Sequence, residues 1–202
     1  MTMNNTQTII KIASANLPTA YGSFQIRIYK SLEDGLEHVV LLAGKKIKEP
    51  ALVRIHSECL TGEVFTSLKC DCRDQLRESL KKISKSKNGI LIYLNQEGRG
   101  IGLGSKIKAY ALQERGFDTV QANEQLGFAA DPRTYEVAAQ ILQDLNICQI
   151  NLLTNNPDKI SQIENFGITI KEIIPLEIAP NPTDISYLRT KKYKLGHKLK
   201  LV

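Results

Sequence analysis

Short segments in which apolar and polar residues alternate dominate the first quarter of the chain. The alternation predicts strands at residues 8–13, 24–29, 38–43 and 52–56. Turns separate the first three segments, so we expect an antiparallel arrangement at the start of the domain. Residues 1–7 are polar, and we expect them to form a disordered N-terminus.

Beyond residue 50, apolar strands alternate with helices. The predicted elements are helix 73–84, strand 89–94, helix 106–115, a helix from Pro132, strand 150–153, a helix from Pro157 and strand 168–174. The last two helices each begin with a cap residue before a proline, Asp131 or Asn156. Val137, Ile141 and Leu145 are expected to face inward.

This order of elements predicts an α/β fold. We expect one domain, a layered mixed sheet with helices on its faces and a more antiparallel N-terminal part. The chain then divides into residues 1–7, a domain spanning 8–174 and a basic C-terminal tail at 175–202 that is partly flexible. We expect a partner subunit or a ligand to order this tail.

The chain carries 27 basic and 21 acidic residues, a net charge of +6. An excess of this sign favours anionic partners such as nucleotides, nucleic acids or acidic lipids. A solvated helix face at 81–87 and a mobile tail at 191–200 are the simpler explanation. No apolar run approaches the roughly 20 residues that span a bilayer, and the start does not resemble a secretory signal. We therefore expect a cytoplasmic protein without a membrane partner.

Three of the four cysteines, Cys59, Cys70 and Cys72, lie between a predicted strand and a predicted helix. Thiolates bind Zn²⁺ strongly, and three protein ligands leave a fourth position for water, as in catalytic zinc sites. Spacing alone leaves two alternatives, namely buried small side chains or a structural site completed by His56. Cys148 lies among apolar residues, and we expect an inert core thiol there.

Several motifs in series resemble those of the GTP cyclohydrolase II family in order and spacing. They are RIHSECLTG from Arg54, CDC from Cys70, QEGRGIGL from Gln96, YALQ from Tyr110, DTV from Asp118, NEQLGFAADPR from Asn123 and LTNNP from Leu153. The resemblance implies that 8–174 is a catalytic domain that hydrolyses GTP. The implied products are 2,5-diamino-6-(ribosylamino)pyrimidinone 5′-phosphate, formate and pyrophosphate, in the first committed step of riboflavin biosynthesis.

The resemblance also implies roles for individual residues. Cys59, Cys70 and Cys72 would hold one zinc ion per subunit. Arg133 would attack the α-phosphate to form a guanylyl-enzyme, and Asp131 would assist it. The local sequence alone predicts that Asp131 is a helix cap.

Tyr110 resembles the family tyrosine near the reacting carbon of the purine. A related branch that keeps the formyl group has another residue there, so this tyrosine favours complete deformylation. A tyrosine on a helix is otherwise most often a half-buried packing residue.

The positions that the resemblance assigns to GTP binding have suitable chemistry, because carboxylates accept from guanine and cations pair with phosphates. They are Arg54, Ile55, His56, Ser57, Glu58, Gln75, Glu97, Gly98, Arg99, Thr119, Thr154 and Lys159. The simpler alternatives are that Gly100 and Gly102 only turn the chain and that Lys159 is a solvated surface residue.

The resemblance further implies Mg²⁺ bound with the triphosphate and assembly as a homodimer. We expect a single-function chain, without the synthase domain fused to this one in some relatives, and no nucleic-acid partner. Two alternatives remain open at this point: a cyclohydrolase that retains the formyl group, and a noncatalytic, zinc-stabilised nucleic-acid-binding module.

Overall fold

The computed structural model describes residues 8–202, so the predicted disordered N-terminus at 1–7 lies outside the described residues. The strands are β1 (Ile9–Thr19), β2 (Gly22–Ser31), β3 (Glu37–Ala43), β4 (Ala51–Ser57), β5 (Gly89–Leu94), β6 (Gln149–Leu153) and β7 (Thr169–Ile174). They form one sheet in the order β1-β2-β3-β5-β4-β6-β7. The pairs β1–β2, β2–β3 and β3–β5 are antiparallel. The pairs β5–β4, β4–β6 and β6–β7 are parallel. The predicted α/β class, with its antiparallel N-terminal part, is confirmed.

The helices of the described residues are α1 (Leu60–Glu63), α2 (Cys72–Ser86), α3 (Gly102–Gln113), α4 (Thr119–Gln125), α5 (Glu136–Asp144), α6 (Pro157–Asn165) and α7 (Ile185–Lys194), with a 3₁₀ turn at Glu97–Gly100. Neither α4 nor α7 is among the predicted helices. A capping box starts α4, because Asp118 accepts from the Gln121 amide and the Gln121 side chain accepts from the Asp118 amide. No helix within residues 8–202 has the length and apolar character that crossing a bilayer requires.

Alternate residues of the central strands pack on opposite faces of the sheet. Val40 and Leu42 belong to a core cluster that includes Ile141 of α5. Leu41 belongs to a second cluster, which includes Ile83 of α2. Because side chains alternate along a strand, α2 covers one face while α5 and α6 cover the other.

Two local predictions are wrong. Helix α5 begins at Glu136 with Tyr135 at its N-cap, not at Pro132. Asp131 does not cap it, because the Asp131 carboxylate binds the side chain of Arg133 and accepts from the Arg133 backbone amide at 3.3 Å, before the helix begins. Cys148 is exposed and is therefore not a core thiol.

The parallel strands bring the sequence motifs to one edge of the sheet. Strand β4 ends at Ser57, β5 at Leu94 and β6 at Leu153, and all three have their carboxyl ends on the same side. The cysteines follow β4, the glycine-rich loop follows β5, and Thr154 follows β6. Ligand sites of α/β proteins lie at this edge.

Candidate active site

Three cysteine thiols converge beyond the carboxyl end of β4. The sulfur atoms of Cys59, Cys70 and Cys72 all lie within 4.8 Å of one another, and those of Cys59 and Cys70 are 3.6 Å apart. Gly62 of α1 packs against them, since a Cβ there would lie 2.8 Å from the Cys70 sulfur. Within residues 8–202, no other histidine, cysteine or acidic side chain joins this group. Three soft donors at this spacing suit a tetrahedral zinc ion with one further position.

His56 is not part of the cysteine group. Its Nε2 lies 2.7 Å from Oε1 of Glu63, and its ring stacks on Tyr93, whose hydroxyl also donates to Glu63 at 2.6 Å. Burial lowers the pKa of His56, although the hydrogen bond to Glu63 acts in the opposite direction. The alternative of a structural zinc site completed by His56 is therefore wrong.

A buried ion pair borders the sulfur atoms. Nζ of Lys106 lies 3.2 Å from the Cys59 sulfur and 2.7 Å from Oε1 of Glu97. Glu97 also accepts from the backbone amides of Leu60 at 2.6 Å and Gly98 at 2.7 Å. Hydrogen bonds from the other two thiols lower the pKa of Cys59, and the Lys106 charge acts in the same direction. Lys106 thus offsets negative charge on the cysteine group, a role that the sequence did not indicate.

Tyr110 of α3 borders the same group. Its hydroxyl lies 3.3 Å from Oγ1 of Thr61, which in turn is 3.8 Å from the Cys59 sulfur. Nζ of Lys69 lies 4.7 Å from the centre of the ring. Burial raises the pKa of Tyr110, so its hydroxyl remains a hydrogen-bond donor at neutral pH.

Asp131 and Arg133 form a bidentate ion pair in the loop before α5. Nε of Arg133 donates to Oδ1 of Asp131 at 2.8 Å, and Nη2 donates to Oδ2. Burial alone would lower the pKa of Arg133, but Tyr135 and Asp131 raise it above its ordinary value. Burial would raise the pKa of Asp131, and Arg133 lowers it. Both groups are therefore charged at neutral pH.

Two further cations lie at the base of the site. Arg54 donates to the carbonyl of Leu153 at 3.0 Å and to Gln75 at 2.7 Å, and Lys159 donates to the carbonyl of Ile55 at 2.6 Å. Arg54 is 7% exposed and Lys159 is 5% exposed. Burial lowers the pKa of Lys159, and the charge of Arg54 lowers it further. Lys159 is therefore not the solvated surface residue of the simpler alternative.

The glycine-rich loop contributes Arg99 in a left-handed backbone conformation, with φ of 66°. Both Nη atoms of Arg99 are buried and have no hydrogen-bond partner within the described residues. Its guanidinium lies 5.7 Å from the ring centre of Tyr187. Because a buried donor without a partner is costly, this arrangement calls for an acceptor such as a phosphate. Gly100 and Gly102 have positive φ and open space around them, as residues that turn the chain do.

One pocket collects these groups. The predicted site residues that line it are Arg54, His56, Ser57, Glu58, Cys59, Cys70, Cys72, Gln75, Glu97, Gly98, Arg99, Tyr110, Thr119, Arg133, Thr154 and Lys159. Ile55 and Asp131 do not line it and instead contact Lys159 and Arg133. Unpredicted lining residues include Lys69, Lys106, Gln113, Asn123, Asn155, Asn156, Tyr187, Lys191 and His197.

Comparison with known proteins gives consistent matches. The model of the family described as GTP cyclohydrolase II matches residues 10–175. Riboflavin biosynthesis protein RibBA is 53% identical over 189 residues in Aquifex aeolicus, covering 93% of this chain and 47% of that protein. Its counterpart in Chlorobium phaeovibrioides is 50% identical over 196 residues, which cover 96% of this chain and 48% of that protein.

A relative of similar length also matches. GTP cyclohydrolase-2 of Buchnera aphidicola is 52% identical over 189 residues, which cover 93% of this chain and 97% of that protein. The chain spans about half the length of the RibBA relatives. The family match covers the strands and helices that form the pocket from β1 to β7, and this chain belongs to the GTP cyclohydrolase II family.

Proposed function

We propose that this chain hydrolyses GTP to 2,5-diamino-6-(ribosylamino)pyrimidinone 5′-phosphate, formate and pyrophosphate, the first committed step of riboflavin biosynthesis. The observation that carries the proposal is a single pocket that joins three thiols to a group of buried cations. These two regions match the two parts of GTP that react, the purine and the triphosphate. Family membership and the names of the relatives support the same reaction.

Cys59, Cys70 and Cys72 would hold the zinc ion. Three sulfur donors fit zinc, and bound zinc supplies an activated water for hydrolysis of the purine ring. Lys106 balances the charge of the thiolates. Tyr110, protonated at neutral pH, would donate a hydrogen bond near the reacting carbon, which in this family accompanies release of formate.

Glu58 would recognise guanine. Glu97 is already engaged by Lys106 and by two backbone amides, so its oxygens have little remaining capacity. Glu58 lines the pocket beside it, and its pKa is raised first by burial and then by the charge of Glu97. A carboxylate in this position can accept from the ring N–H and the amino group of guanine.

Arg133 would cleave the triphosphate. One guanidinium nitrogen forms a bond to the α-phosphorus, the bond to the bridging oxygen breaks, and pyrophosphate leaves with that electron pair. The proton lost from Arg133 passes to Asp131, whose oxygens accept from Nε and Nη2. Water later hydrolyses the phosphorus–nitrogen bond. A protonated guanidinium is not nucleophilic, so this step requires a neighbouring base, and Asp131 is in hydrogen-bond contact with the Arg133 side chain.

The other cations would bind the phosphates. Arg54, Arg99 and Lys159 line the pocket, and Arg99 has two buried donors without a partner within residues 8–202. Mg²⁺ would enter with the triphosphate and be held mainly by its oxygens and by water. Arg54 and Lys159 are too deeply buried to reach the backbone of a nucleic acid, which favours a small nucleotide ligand.

Assembly as a homodimer and cytoplasmic localisation stay predictions of the sequence. Sedimentation analysis of the purified protein measures the first, and fractionation of the source cells measures the second.

Incubation of the purified, zinc-loaded protein with GTP and Mg²⁺ tests the reaction. We expect formate and pyrophosphate in equal amounts, together with the diaminopyrimidine phosphate identified by its mass. A product that keeps the formyl carbon would assign the chain to the related branch. Absence of both formate and pyrophosphate from fully metallated protein would contradict the proposal.

A further inference from the structure

The C-terminal residues 176–202 form one wall of the pocket. They lie beyond the stretch matched by the family model, which ends at residue 175. Within them, Leu176, Tyr187, Lys191, His197 and Leu199 line the pocket together with the residues of the sheet edge. The segment therefore contributes side chains to a site that the residues matched by the family model do not fully enclose.

This segment is packed onto the domain by specific contacts. Asn155, just after β6, exchanges two side-chain hydrogen bonds with the backbone of Leu176, at 2.7 and 3.1 Å. The amide of Lys198 donates to the carbonyl of Asn155 at 2.9 Å. Leu188 of α7 is 3% exposed. These contacts hold both ends of the segment beside the loop that carries Thr154.

Lys191 connects α7 to the cysteine group. Its Nζ lies 2.8 Å from Oδ1 of Asp71 and 4.4 Å from the ring centre of Tyr187. Asp71 stands between Cys70 and Cys72 in the chain. The Lys191 side chain is 11% exposed. An ammonium group has three donors, and Asp71 occupies one of them, so Lys191 keeps capacity for an anion in the pocket.

His197 lies among the cations of the pocket. Burial lowers its pKa most, and the charges of Lys191, Arg133, Lys159 and Arg99 lower it further, to about 3. A neutral imidazole surrounded by positive charge is suited to donate a hydrogen bond to a polyanion. A bound polyphosphate would also relieve the repulsion among the four cations.

We propose that residues 176–202 are part of the nucleotide site and that Lys191 and His197 bind the polyphosphate of GTP. Tyr187, whose ring centre lies 5.7 Å from the Arg99 guanidinium and 4.4 Å from Nζ of Lys191, positions these two cations. The segment thereby favours a guanosine triphosphate over guanosine. This inference rests on the proposed function, because it assumes that the pocket takes GTP.

Calorimetric titration with two probes tests the inference. The first is guanosine 5′-(α,β-methylene)triphosphate, which cannot be cleaved between its first two phosphates, and the second is guanosine. We expect His197→Leu and Lys191→Met each to weaken binding of the triphosphate analogue at least about tenfold, because each loses a hydrogen bond to a charged group. Guanosine affinity should stay within about twofold of native.

Two controls accompany these variants. Lys198→Met removes an exposed lysine next to His197 and should leave both affinities unchanged. Zinc content identifies any disturbance that Lys191→Met transmits to the cysteine group through Asp71. Native-like binding of the analogue by both His197→Leu and Lys191→Met, or an equal loss of guanosine binding, would overturn this inference but not the proposed function. Failure of the native protein to bind the analogue would overturn the proposed function as well.

Discussion

Replacement of Gly62 by alanine tests whether the three sulfurs are held at the spacing that a metal requires. An added Cβ would lie 2.8 Å from the Cys70 sulfur and 3.2 Å from the Cys59 sulfur. Non-bonded carbon atoms are most stable at about 3.5–4.0 Å, and sulfur is larger, so the methyl group must displace the thiols. Overpacking of this kind costs about 1–3 kcal/mol. Metal-free thiols can move apart, but metal-bound ones cannot, so zinc affinity should fall by about 5- to 150-fold.

Competition with a chromophoric chelator measures this affinity, and Gly104→Ala is the matched control. Gly104 also lies in a helix, but an added Cβ there meets no atom within 4 Å. We expect native zinc affinity for this control and a gain in stability of about 0.5–1 kcal/mol. If Gly62→Ala binds zinc as tightly as Gly104→Ala, the sulfurs are not confined at the described spacing, and the reasoning fails.

Three further predictions concern other parts of the site. Cys70→Ser should lose stoichiometric zinc in metal analysis, whereas Cys148→Ser, which changes an exposed thiol, should retain it. Asp131→Asn removes the proton acceptor of Arg133 and should slow pyrophosphate release by about 100-fold or more in a coupled assay; an unchanged rate would refute that role. His197 has an ordinary pKa of 6.5 that falls to about 3 in the folded protein. As pH falls from 7 toward 3, the unfolded chain binds the proton before the folded chain does, so the free energy of unfolding decreases. Between about pH 7 and pH 5, urea denaturation should show a decrease in the free energy of unfolding that is about 1–2 kcal/mol smaller for His197→Gln than for native protein. Equal decreases would contradict the assigned environment of His197.

Local patterns were sufficient to predict most strands and helices, and insufficient where a capping side chain has a competing charged partner. Asn156 before Pro157 caps α6 as predicted, with its side chain 3.0 Å from the amide of Asp158. Asp131 before Pro132 has the same local signal, yet its carboxylate binds Arg133. A charge-assisted bidentate pair is stronger than a cap, so the helix begins later.

The motifs after β4, β5 and β6 predicted much of the pocket, because parallel strands bring their carboxyl ends together. Lys106 and Lys191 were missed, since lysines on helices are ordinarily at the surface. Lys106 is buried against Glu97, in the loop nine residues earlier, and Lys191 against Asp71, 120 residues away, and neither pairing follows from the helix pattern. Helix α7 was missed for a related reason: its buried residues include Lys191 as well as Leu188, so it shows no clear apolar stripe.

Buried positive charge at the base of the pocket opposes the stability of the folded chain. Lys159 is held with little exposure near Arg54 and Arg133, and its lowered pKa records an environment that disfavours a cation. An apolar side chain of similar size would fit such a position at lower free energy. The folded chain is therefore less stable than it would be with an apolar side chain there, and it keeps positive charge in place for the polyphosphate proposed above. Optimisation of this chain for heat tolerance alone would select against the residues proposed to bind its ligand.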